Sequence, residues 1–222
     1  MPIRAVVFDL DGLMFDTEAL FHRVAAEMLA ARRKRLTPEI ARAMIGRRAA
    51  EAGQAFKVLA GLDEPVEALM DEARARFRAE IETAVHPTPG LFVLLDRLQA
   101  KGRPRAVATS SRRSHAEGLL RRHGLRDRFA FVLGAEDVAH GKPDPEIYRT
   151  AVARFGVPAE SVLVLEDSAA GLAAARGAGT FAVGVPHEHS PAEGLHDAHL
   201  IVPRLDGPAL LALLEDEIPP HG

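Results

Sequence analysis

The sequence predicts an α/β protein with a doubly wound, mostly parallel sheet and an all-helical segment inserted after its first strand. From residue 86 onward, short apolar runs rich in β-branched residues alternate with helical patterns. This alternation is typical of a parallel sheet covered by helices on both faces. Between the first apolar run and residue 86, the pattern is helical and strand-like alternation is absent. We therefore expect a core of residues 1–16 and 86–222 and a helical domain of residues 17–85.

The first element is a buried strand expected at residues 3–8, an apolar run with β-branched residues that ends at an acid. Thr17 is suited to cap a helix that continues to about Lys34. The segment His86-Pro-Thr-Pro-Gly90 breaks the chain, because it has two prolines and a glycine in five residues. Further helices of the insert are expected at residues 38–45, 49–59 and 65–82.

After this break, strands and helices alternate to the end of the chain. Gly102, Gly124 and Gly156 each follow a helical pattern and are expected to end it. The expected strands are residues 105–109, 129–133, 161–165, 181–185 and 199–202. The expected helices are residues 91–100, 114–123, 145–155, 169–178 and 208–217.

The composition is that of an ordinary globular protein, with 47% hydrophobic and 27% charged residues in a chain of 222. The absence of cysteine excludes disulfides, thiolate chemistry and Cys-based zinc sites. A formal net charge of -3 predicts no general attraction to nucleic acid or acidic membranes. The sequence shows no signal peptide and no long apolar run. We therefore expect a cytoplasmic protein, either a monomer or a small homo-oligomer.

Two clusters have a functional and a structural interpretation. The basic run at residues 32–35 could bind nucleic acid, but it lies where a helix is expected to end, and cations favour that end. His187, His189, His196 and His199 could ligate a metal, but their spacing matches no familiar site and the region has the composition of a surface loop. We favour the structural interpretation of both.

Polar side chains follow four of the predicted strands, at the edge where open parallel sheets bind ligands. In chain order they are Asp9 and Asp11; Thr109, Ser110 and Ser111; Lys142; and Glu166 with Asp167. Four carboxylates in one place repel one another and must bind a cation or stay partly protonated. Hard oxygen ligands without His or Cys point to Mg²⁺. A lysine and a hydroxyl beside that metal suit phosphate, and the sequence therefore predicts phosphate chemistry at this edge.

The same residues resemble the four motifs of the haloacid dehalogenase-like (HAD) hydrolase superfamily. The motifs are Asp9-Leu10-Asp11-Gly12, Thr109-Ser110, Gly141-Lys142-Pro143 and Glu166-Asp167-Ser168. The stretches "FDLDGLMFDTE" and "VLEDSAAGLAAARGAG" are similar to the branch that contains β-phosphoglucomutase and many small sugar-phosphate phosphatases. This resemblance implies a Rossmann-like core with a helical cap inserted after the first motif.

The resemblance implies a role for each acid. Asp9 would be the nucleophile and would form an aspartyl-phosphate. Asp11 would be the general acid for the leaving oxygen and then the base for water. Asp9, the backbone carbonyl of Asp11, and Asp167 would hold Mg²⁺, with Glu166 assisting.

The resemblance also implies phosphate and substrate ligands. Thr109, Ser110 and Lys142 would hold the transferring phosphoryl group and neutralise charge on its oxygens. Arg47 and Arg48 lie at a break between two predicted cap helices, where this family often places residues that contact the substrate. These two arginines are therefore candidate substrate ligands.

The predicted function is hydrolysis of a small phosphorylated metabolite, such as a sugar phosphate. A mutase like β-phosphoglucomutase is the alternative, because it uses the same core and returns the phosphoryl group to the sugar. A regulatory protein with an inactive site is disfavoured, since every motif position has a competent residue. Dehalogenation is disfavoured because haloacid dehalogenases of this superfamily lack the second acid that Asp11 supplies and need no metal.

Overall fold

The computed structural model describes residues 2–44, 49–188, 190 and 192–215. Its centre is a six-stranded sheet of β1 (Ala5–Phe8), β2 (Arg105–Ala108), β3 (Phe131–Leu133), β4 (Val162–Glu166), β5 (Phe181–Gly184) and β6 (Leu200–Ile201). The strand order is β3-β2-β1-β4-β5-β6, and each of these pairings is parallel. The winding direction reverses between β1 and β4, which places the ligand-binding crevice beyond the carboxyl ends of these strands.

Helices surround this sheet and also fill the segment between β1 and residue 86. They are α1 (Glu18–Ala30), α2 (Pro38–Met44), α3 (Ala49–Ala60), α4 (Val66–Ala84), α5 (Leu91–Ala100), α6 (Arg113–Arg122), α7 (Glu146–Phe155), α8 (Ala169–Gly177) and α9 (Pro208–Ala212). The predicted α/β fold with a doubly wound, Rossmann-like sheet is confirmed. Within the described ranges, the helices are too short or too polar to cross a membrane.

Both faces of the sheet are buried, as in other all-parallel sheets. The alternation of side chains along β1 divides them, with Val6 and Phe8 in one apolar cluster and Ala5 and Val7 in the other. Helices α5, α6 and α9 contribute leucines to the first cluster, which continues into α1–α4. Helices α7 and α8 cover the second. The carboxyl ends of the strands, which the polar residues follow, are therefore held between two packed apolar layers.

Several element ends differ from the predictions by one residue or more, including the ends of α1 and α9 and the start of β3. Helix α1 ends at Ala30 and not near Lys34, because Arg33 adopts a left-handed conformation with φ 57° that turns the chain. Helix α9 ends at Ala212, and its predicted end at residue 217 lies outside the described residues. The third strand begins at Phe131, two residues later than predicted, after a 3₁₀ turn.

The basic run after α1 has a structural partner in the helical segment. Arg32 donates from Nε to Glu64 Oε1 and from Nη2 to Glu72 Oε2, each at 2.7 Å. Its Nη1 also donates to the carbonyl of Met28 at 2.9 Å, near the carboxyl end of α1. These bonds join α1 to α4 and support the structural interpretation of the run.

The two connections between the helical segment and the rest of the chain lie side by side. The backbone N–H of Asp16 donates to the carbonyl of His86 at 3.0 Å. The N–H of Thr88 donates to the carbonyl of Met14 at 2.9 Å, and its hydroxyl donates to that of Leu13 at 2.6 Å. The outgoing segment, residues 13–16, and the returning segment, residues 86–88, are therefore hydrogen-bonded to each other. We call these two segments the paired linkers.

Candidate active site

Lys142 joins three strands at the centre of the candidate site. Its Nζ donates to Asp9 Oδ1 and to Glu166 Oε1, each at 2.5 Å, and to the carbonyl of Ala108 at 3.2 Å. Burial lowers the pKa of Lys142, but the charges of Asp9 and Glu166 outweigh burial and hold this pKa well above its usual value. The lysine is therefore a fixed positive charge between the ends of β1, β2 and β4.

Glu166 is completely buried and both of its carboxylate oxygens accept hydrogen bonds from the protein. Besides Lys142, the hydroxyl of Tyr148 donates to Oε1 at 2.5 Å. Ser168 donates to Oε2 from its backbone N–H at 3.2 Å and from its hydroxyl at 3.0 Å. The Ser168 hydroxyl oxygen also accepts from Gly171 N at 3.1 Å and so caps α8.

Sequence reasoning missed Tyr148, because an aromatic residue on the apolar face of a helix is typical of core packing. Its hydroxyl reaches Glu166, and its ring centroid lies 5.1 Å from Lys142 Nζ. Tyr148 is completely buried, so its hydroxyl needs a partner. The Tyr148 side chain therefore helps to hold Glu166 and Lys142 in position.

Three buried carboxylates form a cluster that fits a metal ion. Asp9, Glu166 and Asp167 each offer an oxygen within 4.8 Å of the others. Burial raises the pKa of Asp9 well above its usual value, and the charges of Glu166 and Asp167 add to this rise, while Lys142 opposes it. Since Lys142 balances one of three negative charges, a divalent cation on these hard oxygen donors would complete the balance.

The loop after β5 holds Asp167 in place. His187 Nε2 lies 2.9 Å from Asp167 Oδ2, and the Ser190 hydroxyl donates to the backbone carbonyl of Asp167. Burial and the charge of Glu166 raise the pKa of Asp167, and the hydrogen bond from His187 partly opposes this rise. His199 is elsewhere, stacked on Phe181 at 4.8 Å between ring centroids. His187 and His199 therefore have different partners and do not converge, and His189 lies outside the described residues.

Gly12 permits the close approach of the first motif to Asp167. Its φ of 86° is left-handed, a conformation that glycine adopts readily and that permits a sharp turn after β1. A Cβ atom at this position would overlap the Asp167 carboxylate and would lie 3.1 Å from His187 Nε2. The glycine is therefore required both for the turn and for space.

The carboxylate of Asp11 faces the segment after β2. Its Oδ2 accepts from the hydroxyls of Ser111 at 2.6 Å and Thr109 at 3.3 Å, and its Oδ1 lies 3.3 Å from His115 Nε2. Burial raises the pKa of Asp11, but the hydrogen bond and charge of His115, together with the hydroxyls of Ser111 and Thr17, lower it overall. Asp9 and Asp11 thus have pKa values shifted in opposite directions without a bound cation, and each shift is the reverse of what a nucleophile and a general acid require.

Thr17 occupies the N-cap position of α1, as expected, but its side chain makes no capping hydrogen bond. The buried hydroxyl has no hydrogen-bond partner among the described residues, although it is near enough to Asp11 to contribute to lowering the pKa of that acid. The residue is completely buried. The proximity of Thr17 to Asp11 connects the first turn of α1 with the first motif.

A cavity of about 140 Å³ lies between these groups and the helical segment. Predicted site residues on its wall are Asp9, Asp11, Thr109, Ser110, Lys142 and Asp167. Helices and loops of the segment contribute Phe21, His22, Ala25, Leu36, Ala41, Met44, Ala49 and Ala52. Glu166 is not on this wall and lies behind Lys142. Arg47 and Arg48 lie outside the described residues, so their predicted substrate contacts stay predictions.

A doubly wound sheet that gathers buried carboxylates, a lysine and hydroxyls around a cavity at its switch point defines an α/β enzyme with its site in that crevice. Comparison with known families makes this assignment specific. The chain belongs to the haloacid dehalogenase-like hydrolase family, whose model matches residues 6–185.

Relatives include enzymes that act on phosphate esters. The chain is 32% identical over 199 residues to validoxylamine A 7'-phosphate phosphatase of Streptomyces hygroscopicus subsp. limoneus, with 90% of this chain and 92% of the relative covered. CbbY from Rhodobacter sphaeroides, solved in complex with phosphate, is 29% identical with a TM-score of 0.81 over 95% of this chain and 99% of that one. A Thermotoga maritima protein proposed to be a β-phosphoglucomutase is 28% identical with a TM-score of 0.76, covering 96% and 99%. The prediction of a HAD-like phosphatase is confirmed at the level of enzyme class.

We expect Gly171→Ala to destabilise the fold by about 1–3 kcal/mol, because the added methyl group would overlap the buried Glu166 carboxylate. Displacing Glu166 should also disturb Lys142 and reduce activity. The matched control is Gly118→Ala in α6, where an added Cβ has nothing within 4 Å, and a gain of about 0.5–1 kcal/mol is expected there. Urea denaturation measures both, and a Gly171→Ala protein as stable as Gly118→Ala would contradict the packing argument.

Proposed function

We propose that this protein is a Mg²⁺-dependent phosphatase that hydrolyses a small phosphorylated metabolite through an aspartyl-phosphate on Asp9. The observation that carries the proposal is the buried trio of Asp9, Glu166 and Asp167, held by Lys142 beside the cavity. A phosphoryl group needs cations and hydrogen-bond donors around its oxygens. Validoxylamine A 7'-phosphate phosphatase and the other phosphatases among the relatives support a small phosphate ester as the substrate.

We assign the metal to the carboxylates of Asp9 and Asp167 and the backbone carbonyl of Asp11. Glu166 would assist from behind, because both of its oxygens already accept hydrogen bonds within the protein. All these donors are oxygens, which suits Mg²⁺. When bound, the cation would neutralise charge on the phosphoryl oxygens and lower the pKa of Asp9.

The side chains then divide the reaction into two steps. An Asp9 oxygen forms a bond to phosphorus, the bond from phosphorus to the ester oxygen breaks, and Asp11 gives that oxygen a proton. Asp11 next takes a proton from water, whose oxygen attacks the same phosphorus and releases inorganic phosphate and the Asp9 carboxylate. Thr109, Ser110 and Lys142 bind the phosphoryl oxygens in both steps.

We further propose that residues 17–85 form a cap domain that closes over the core. The paired linkers support this proposal, because they attach the whole helical segment at one place where a few residues can change conformation. Closure would exclude water from the cavity while the leaving group is present. The cap would also contact the leaving group, with Arg47 and Arg48 as candidate ligands.

A mutase is the second candidate, supported by the likeness to the Thermotoga maritima protein. Such an enzyme would transfer the phosphoryl group from Asp9 back to a sugar hydroxyl instead of to water. The two candidates predict different products from a sugar phosphate. Product analysis by phosphorus NMR distinguishes an isomeric sugar phosphate from inorganic phosphate.

The test of the proposed function is a panel of sugar phosphates, phosphoglycolate and nucleotides, assayed with Mg²⁺ and then with excess chelator. We expect release of phosphate from at least one substrate and loss of that activity with the chelator. Direct binding of Mn²⁺, followed by electron paramagnetic resonance, gives a readout that is independent of turnover. Asp167→Asn should weaken this binding by about 10-fold or more, since it removes one charged ligand.

Asp71→Asn is the matched control, because Asp71 is exposed on α4 and forms an ion pair with Arg74 on the same helix. Its Mn²⁺ affinity should equal that of the wild type. Full activity in excess chelator would overturn the metal assignment.

A further inference from the structure

His115 lies between the acid of the first motif and the helical segment. Its Nε2 is 3.3 Å from Asp11 Oδ1, and its ring centroid is 5.7 Å from that of Phe77 on α4. Phe77 in turn stacks on Phe21 of α1 with 4.4 Å between ring centroids and an interplanar angle of 21°. Phe21 lines the cavity. A continuous line of contacts therefore joins Asp11 to α4 and α1 through one imidazole ring.

The contact of Asp11 with the His115 ring differs from its hydrogen bonds to Ser111 and Thr109. Ser111 and Thr109 approach Oδ2 from the end of β2 and belong to the core alone. His115 approaches the other oxygen, Oδ1, and packs against α4 as well. A carboxylate held at both oxygens has a fixed plane, whereas one held only at Oδ2 can rotate. The orientation of Asp11 is thus tied to the packing of α4 on the His115 ring.

We infer that His115 is a positioning residue that sets the orientation of the Asp11 carboxylate and makes it depend on where the helical segment sits. When α4 moves relative to α6, the His115 ring loses or gains its support from Phe77, and the contact to Asp11 Oδ1 changes with it. The leaving-group acid is then aligned only when the cavity is closed by the segment. This inference rests on the proposed role of Asp11 in acid and base catalysis and on the proposed closure of the helical segment.

The kinetic test compares an alkyl phosphate, whose leaving oxygen needs a proton, with an aryl phosphate, whose leaving oxygen does not. His115→Ala should lower kcat for the alkyl ester by about 10-fold to 100-fold, because a misaligned acid loses most of its advantage. The aryl ester should lose about 3-fold or less in phosphoryl transfer, and KM for both should stay within about 2-fold. His115→Gln places an amide N–H near the position of Nε2 and should recover most of the alkyl rate.

Two further variants complete the test. Phe77→Leu removes the ring that supports His115 and should reduce the alkyl rate in the wild type but add little to His115→Ala. Ser114→Ala, at an exposed position of α6 next to His115, is the matched control and should behave as wild type. Equal losses for the two esters, or a His115→Gln protein as impaired as His115→Ala, would overturn the positioning role.

Crystal structures provide a readout that does not depend on turnover. In His115→Ala the Asp11 carboxylate should adopt a different orientation, while Asp9, Lys142 and Glu166 keep their contacts. An unchanged Asp11 orientation would overturn the inference even if the enzyme were active. If the wild type hydrolysed no phosphate ester, the proposed function would fail, and the orientation of Asp11 in these crystals would still decide what His115 does.

Discussion

Asp9→Asn is expected to reduce phosphate-ester hydrolysis by about 10⁴-fold or more, which is the scale of loss when a catalytic nucleophile is removed. The amide has nearly the same size as the carboxylate, and Lys142 keeps its hydrogen bonds to Glu166 and Ala108, so the fold should survive. The variant lacks the oxygen nucleophile that would form the aspartyl-phosphate. It also removes one of the three carboxylates of the metal cluster.

Rapid acid quench with a ³²P-labelled substrate measures this directly. The wild-type protein should carry label on the peptide that contains Asp9, and Asp9→Asn should carry none. Asp206→Asn, a change at a half-buried residue that pairs with Arg204, should label as wild type does. Label on another residue, or more than about a tenth of wild-type turnover in Asp9→Asn, would show that Asp9 is not the nucleophile.

Asp11→Asn should separate acid catalysis from nucleophilic attack. Phosphoryl transfer from an alkyl phosphate should fall by about 10²–10⁴-fold, because its alkoxide leaves poorly without a proton donor. Transfer from an aryl phosphate should fall much less, because its leaving group needs no proton. The aspartyl-phosphate should then accumulate, since Asp11 is also needed to activate water.

Single-turnover measurements of both esters, with wild type and Asp11→Asn, test this expectation. Mn²⁺ binding must first be shown to be unchanged, because the backbone carbonyl of Asp11 is assigned to the metal. An equal loss for both esters would mean that Asp11 does not protonate the leaving group. Its role would then be to hold the first motif in shape through Ser111 and Thr109.

The sheet and its site edge could be predicted from the sequence because local signals agree there. β-Branched runs, helix-ending glycines and polar residues after four of the strands all indicate the same topology. The end of α1 could not be predicted from the sequence, since Arg33 adopts a conformation that non-glycine residues seldom take. Nothing in the local sequence marks that turn.

Contacts that arise only from packing also escaped prediction. Tyr148 reaches Glu166 because α7 packs against β1, β2 and α8, and His115 reaches Asp11 because α6 begins beside the first motif. Each residue is unremarkable within its own helix. Burial, together with the charges of Glu166 and Asp167, raises the pKa of Asp9. The contact with His115 helps to lower the pKa of Asp11. Motif spacing alone reveals neither shift.

The paired linkers have a consequence for how such a protein can diversify. Because Asp16 and His86 are hydrogen-bonded to each other, the chain between them begins and ends at nearly one point of the core. The entropy of closing a loop grows only with the logarithm of its length, so inserts of different sizes cost the core nearly the same free energy. The helical segment can thus be replaced, lengthened or redesigned as an exchangeable module while the end of the sheet keeps its chemistry. Selection for new leaving groups can act on one side of the cavity without disturbing the other.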